Sequence, residues 1–202
     1  MKYALFQGRF QPPTIAHVCT VETILNKWQF VTICVVYNTP KPEWFDIGRW
    51  EEYIKASEKT SYAPGKNPFT PNEVKEMWDA WTVGRKLNHR ISCDISKRPY
   101  FDKEFNVRYP PAEFMIVRPE KKDGDASIDA LRGKIFPELL GRNYESVSPP
   151  FKLHNARIIK KVMEGGESWK EFIPQGAYEV FLRINGPARM EEVYRTKQEQ
   201  SF

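Results

Sequence analysis

The sequence predicts an α/β protein: a Rossmann-like, mostly parallel sheet flanked by helices, with a helical C-terminal part. Three observations carry that expectation. An apolar strand runs at once into a Gly-containing turn and a helical repeat, a β-branched strand follows directly, and strands and helices keep alternating to about Val147. A length of 202 residues suits one domain, and 41% hydrophobic with 14% aromatic residues is enough to bury a core. The expected organisation is a single domain over residues 1–202 with an insertion at about 38–66.

Lys2 to Gln7 reads as a buried strand, and Gly8 to Pro13 as the turn after it. From Ala16 to Trp28 the apolar positions Val18, Val21, Ile24 and Leu25 recur at helical spacing. Phe30 to Tyr37 has the β-branched density of a strand covered on both faces, so the first two strands form a parallel, right-handed βαβ unit. Asn38 to Lys66 is rich in Pro, Trp and Tyr, with a short helix expected from Ile47 to Ser57. Thr70, Pro71 and Glu73 form a helix start, N-cap with Pro at the first position and a capping box, for a helix running to about Trp81. Strands are expected at Arg90 to Ile95, Glu113 to Val117 and Tyr144 to Val147, with a polar turn at Lys121 to Asp125 and a helix from Ser127 to Leu140 closed by Gly141. The remainder reads as helical: Ala156 to Glu164, Ser168 to Phe172, Gly176 to Ile184 and Pro187 to Arg195.

Composition excludes several classes of function. The 31 Lys+Arg against 26 Asp+Glu give only +5, a mild charge where nucleic-acid domains usually pack lysines and arginines into one stripe, and fit a small anionic substrate at least as well. The longest apolar run, Val31 to Tyr37, is far too short to span a bilayer. The N-terminus reaches Gly8 and Arg9 too soon for a secretory signal, and the odd cysteines Cys19, Cys34 and Cys93 fall in apolar segments, so a cytoplasmic protein with core thiols is expected. His17, His89 and His154 lack metal-ligand spacing, and neither a nucleophile elbow nor a P-loop is present.

The segment that carries chemistry is Gly8-Arg9-Phe10-Gln11-Pro12-Pro13-Thr14-Ile15-Ala16-His17. It lies between the first strand and the first helix, where open α/β sheets bind ligands and a helix N-terminus favours phosphate. Gly8 would let the backbone approach a ligand, Arg9 can fork onto phosphate oxygens, and Thr14 and His17, three apart, can face one spot.

This segment resembles the His/Thr-x-Gly-His signature of the nucleotidyltransferase superfamily, and Gly-Arg-Phe-Gln-Pro is most similar to its nicotinamide-mononucleotide adenylyltransferase branch. Two further blocks agree: Asn67-Pro68-Phe69-Thr70 with Glu73, Glu76 and Met77, and Met163 to Trp169 with Phe172-Ile173-Pro174. There are departures. Ala16 stands where the family has Gly, and Val74 where the branch has Arg. The second signature, Ile-Ser-x-Thr-x-x-Arg, is here His154 to Lys160, with Asn155 able to cap a helix, Arg157 in place of Thr and Lys160 at the basic position.

The resemblance implies adenylyl transfer from ATP to nicotinamide mononucleotide, with Mg²⁺ held mainly by substrate phosphates. His17, Arg9, Thr14 and Lys160 would be catalytic. Gly8, Phe10, Asn155 and Arg157 would join them around ATP, with Arg157 replacing the lost Thr hydroxyl. Asn67, Pro68 and Phe69 would meet the mononucleotide, together with Trp44 and Trp50 as part of a mobile aromatic cover, although aromatics in a long loop more often pack it onto the domain. Neither nucleic acid nor membrane is expected as a partner, and a homo-oligomer stays open. Two other classes also stay open: a transferase using CTP or another phosphorylated acceptor, and a non-catalytic nucleotide binder.

Overall fold

Five strands, β1 (Tyr3–Gly8), β2 (Phe30–Val36), β3 (Ile91–Ser96), β4 (Phe114–Pro119) and β5 (Tyr144–Val147), form one sheet in the order β3-β2-β1-β4-β5. Every neighbouring pair is parallel, with Tyr3 opposite Phe30 and Phe114, and Val31 opposite Ile91. The expected fold class is therefore correct. The computed structural model describes residues 3–37, 42–45, 48–51, 53–54, 67–120, 126–150, 162, 165 and 168–199.

Alternation along the central strands splits the core between two faces. Ala4, Phe6, Val31, Ile33 and Val35 point to the first face, where they meet α1 (Ile15–Leu25), α2 (Pro71–Gly84), α5 (Ala177–Arg183) and α6 (Gly186–Glu199) through Val21, Trp78, Phe181 and Met190. Leu5, Cys34 and Ile116 point to the second face, against Phe105 of the short α3 (Phe105–Arg108) and Phe136 of α4 (Ala126–Leu140). Among the described residues no helix is long and apolar enough to cross a membrane.

Most boundaries follow the expected signals. Thr70 and Glu73 make both bonds of the capping box, Val74 is fully buried, and α4 closes at Gly141 with φ +59°. α1 stops at Leu25, short of Trp28: the Lys27 amide drops to the i−3 carbonyl of Ile24, which it shares with the Trp28 amide, so the ladder closes in a turn and the Trp28 ring is buried. α2 continues to Gly84 and α6 to Glu199, beyond the expected ends. The turn Pro99–Phe101 and α3 were not expected, being too short to show a period. The insertion is largely outside the described residues, as is the expected helix from Ala156 to Glu164 apart from Val162. The described aromatics Phe45, Trp50 and Tyr53 are buried in the second-face cluster, so they pack the insertion onto the domain.

Candidate active site

The loop after β1 ends at the N-terminus of α1, on the sheet edge where strand order reverses, β2 on one side and β4 on the other. Thr14 is the N-cap, fully buried and extended (φ −130°, ψ 164°). Its hydroxyl accepts the His17 amide at 3.4 Å, and its own amide donates to His17 Nδ1 at 3.1 Å. This is a capping box in which an imidazole takes the place of the usual Glu or Gln. The two residues singled out by their spacing are thus joined.

That bond fixes the chemistry of the ring. The Thr14 amide always carries its hydrogen, so Nδ1 is the acceptor and the neutral ring carries its proton on Nε2. The ring sits edge-on to Phe10 at 5.1 Å, and burial pushes its pKa down to about 4. At neutral pH His17 is an uncharged hydrogen-bond donor. The unfolded chain would protonate it near pH 6.5, so the stability contributed by the neutral ring is complete above pH 6.5 and lost as the pH falls towards 4. Urea midpoints at pH 7 and pH 5 should therefore differ more for the wild type than for His17→Gln; equal differences would place the acid sensitivity elsewhere.

Arg9 Nη1 donates to Asn67 Oδ1 at 3.1 Å, which brings the predicted phosphate and mononucleotide blocks into contact. Gln11 ties them more firmly: its Nε2 donates to the Phe69 carbonyl at 3.0 Å and its Oε1 accepts the Phe69 amide at 2.9 Å. Sequence spacing gave no hint of this pairing across 58 positions. Gln11→Met keeps the length and removes both bonds, and is expected to cost about 1–2 kcal/mol by denaturant unfolding; an unchanged midpoint would show that the loops are held otherwise.

Other expectations are corrected. Phe10 adopts φ +49° and buries its ring against Trp78 at 5.2 Å, so only its main chain can face a ligand. Gly8 is required by that ring: a Cβ there would come within 2.7 Å of it. Phe69 is 3% exposed, packed on Phe181 with Arg189 over its ring at 5.1 Å, and serves as an anchor for its loop. The Trp50 ring is buried 5.0 Å from Tyr100, in the second-face cluster, at the wall of the cleft that Trp44 also lines. Trp44 is exposed, beneath Lys103 at 4.6 Å, in a cleft of about 330 Å³ that reaches Leu139 and Leu140 at the C-terminal turn of α4. That turn leads into β5, so the cleft extends towards the sheet edge opposite the phosphate loop. Pro68 is half-buried between Asn67 and Phe69, while Asn155, Arg157 and Lys160 lie outside the described residues. The thiols are free, and burial raises those of Cys34 and Cys93.

No family model matches the chain. Among curated proteins it is 25% identical over 198 residues to a nicotinamide-nucleotide adenylyltransferase of Thermococcus kodakarensis, covering 94% of this chain and 87% of that one. It is 24% identical over 201 residues to the protein of the same name from Sulfurisphaera tokodaii, covering 95% and 97%. The chain is a homologue of the nicotinamide-nucleotide adenylyltransferases. Its fold also matches a solved bifunctional NMN adenylyltransferase/ADP ribose pyrophosphatase of Francisella tularensis, with TM-score 0.63 and 17% identity over 98% of this chain. The chain spans about half the length of that bifunctional protein (53%).

Proposed function

We propose that the protein transfers the adenylyl group of ATP to nicotinamide mononucleotide, giving NAD and pyrophosphate. One observation carries this: a neutral His17 locked by Thr14 at the N-terminus of α1, joined through Arg9 and Asn67 to the second block that resembles the family. A mononucleotide phosphate oxygen attacks the α-phosphorus of ATP in line. The new P–O bond forms as the bond from the α-phosphorus to the bridging oxygen breaks, and the electron pair leaves with pyrophosphate. Nothing has to become covalently attached to the protein, so the rate comes from orientation and charge stabilisation.

Arg9, the His17 Nε2–H and the positive end of α1 supply donors for the crowded phosphate oxygens. Arg157 and Lys160 would extend that set over the β- and γ-phosphates, with Asn155 capping their helix. Mg²⁺ would enter as a companion of the substrate: the loop offers N–H donors, which suit phosphate oxygens rather than a cation. When bound, it would neutralise charge on the leaving pyrophosphate.

The test is product analysis with Mg²⁺, ATP or CTP, and a panel of phosphorylated acceptors. NAD and pyrophosphate from ATP and nicotinamide mononucleotide are expected. Turnover only with CTP or another acceptor would move the protein to a different branch, and ATP binding without product would make it a nucleotide sensor.

A further inference from the structure

Among the described residues two buried side-chain nitrogens have no hydrogen-bond partner, Trp78 Nε1 and Gln7 Nε2. A buried donor left unpaired is costly, so each calls for an explanation. Trp78 is fully buried in the middle of α2, within the first-face cluster and away from any ligand. Gln7 is different. It is 5% exposed, yet it stands at the end of β1, one residue before Gly8 and the phosphate loop.

Register fixes the side on which its amide lies. Gln7 pairs with Cys34, which packs in the second-face cluster, so the Gln7 side chain leaves the sheet on that face too. One row beyond the Phe6–Val117 pair it stands beside Arg118 of β4, whose Nη2 donates to the Gln7 carbonyl at 3.0 Å. The amide is therefore at the carboxyl end of the β1/β4 boundary, where the strand order reverses and open parallel sheets bind ligands. α1 flanks the same boundary from the first face, through Val18 and Val21.

A side-chain amide offers an acceptor oxygen and N–H donors. A phosphate oxygen would satisfy the N–H but set its negative charge against Oε1. A sugar hydroxyl both donates and accepts, so a vicinal pair of hydroxyls serves both ends of the amide. In adenylyl transfer two riboses approach this edge, and the two faces separate them. Asn67 to Phe69, the block matched to the acceptor, belongs to the first face, where Phe69 packs. The second face is left to ATP, whose ribose is joined to the reacting α-phosphorus through one oxygen and one carbon. We propose that the Gln7 amide binds the ribose hydroxyls of ATP, selecting a ribonucleotide and holding the ester side of the α-phosphorus still while the acceptor attacks. This rests on the adenylyltransferase reading and gives a role to a side chain just outside the Gly8 to Pro12 block.

The experiment measures calorimetric binding of ATP, 2′,3′-dideoxy-ATP and nicotinamide mononucleotide, with Mg²⁺, to the wild type and to Gln7→Met, which keeps the length and removes both hydrogen-bonding ends. The wild type should hold ATP about tenfold tighter than the dideoxy analogue, as two neutral hydrogen bonds imply. Gln7→Met should lose about tenfold for ATP and stay within about twofold for the dideoxy analogue and the mononucleotide. Without ligand it should be no less stable than the wild type, since an unpaired buried N–H is removed. Equal binding of the two triphosphates by the wild type would overturn the proposal before any variant is made. So would a Gln7→Met that binds ATP normally, loses both triphosphates alike, or loses the mononucleotide instead. A Gln7→Met that fails to fold, or melts well below the wild type, would show the amide already satisfied within the protein and overturn the proposal as well. A wild type that separates the two triphosphates but makes no dinucleotide defeats the functional reading alone.

Discussion

His17→Ala is expected to lower kcat by about 10²–10³, the range for removing one preorganised donor from a developing oxyanion, with a smaller change in the KM for ATP. The imidazole cannot act as a general base in this arrangement: Nδ1 is occupied by the Thr14 amide, and a pKa near 4 leaves the ring neutral with Nε2–H as its only donor. Such a group is worth most where negative charge appears during the reaction, and least in a ground state that water solvates well. A loss concentrated in kcat is what that difference predicts. Alanine also removes half of the capping box, a cost of order 1 kcal/mol to the helix, so thermal unfolding measured alongside separates the two effects. Turnover close to normal would leave His17 as a capping residue alone.

The elements that depend on local signals were legible in the sequence. The β1–α1 loop, the Thr70–Glu73 capping box and the Gly141 stop were each encoded within a few residues, and all three occur where expected. What the sequence hid was mostly tertiary. Trp50 and Phe69 stand in company that suggests substrate contact as well as packing; a large apolar ring gains more from a core position, and both rings are buried. Gln11 is hidden for the opposite reason: its importance lies in a partner that no spacing rule reveals, Phe69. Gly8 illustrates a subtler confusion. Its place in the motif suggests backbone approach to a phosphate, whereas the structure uses the missing Cβ to seat the Phe10 ring.

Arg142→Met should destabilise the protein by about 3 kcal/mol or more while leaving turnover per folded molecule unchanged. Arg142 is fully buried just before β5, and its guanidinium donates to the Tyr109 carbonyl, to the Phe114 carbonyl at 3.3 Å and twice to Asn106 Oδ1 at 3.1 and 2.9 Å. Phe105 lies beneath it at 5.0 Å. Burial lowers its pKa to about 10, so it remains charged at neutral pH, held by carbonyl dipoles and a ring face. Methionine fills much of the volume, but three acceptors on α3, its flank and β4 lose their donor, and each buried orphan costs about 1–3 kcal/mol. For a chain of this length that is a drop of roughly 6–12 °C in Tm, readable by calorimetry. The cost should not reach the active site, because Arg142 sits at the starting end of β5 and the phosphate loop leaves the other end of the parallel sheet. A Tm within 1 °C of wild type would mean that neighbouring donors or water replace the guanidinium. A fall in kcat per folded molecule would mean instead that this buried arginine also positions the site across the sheet.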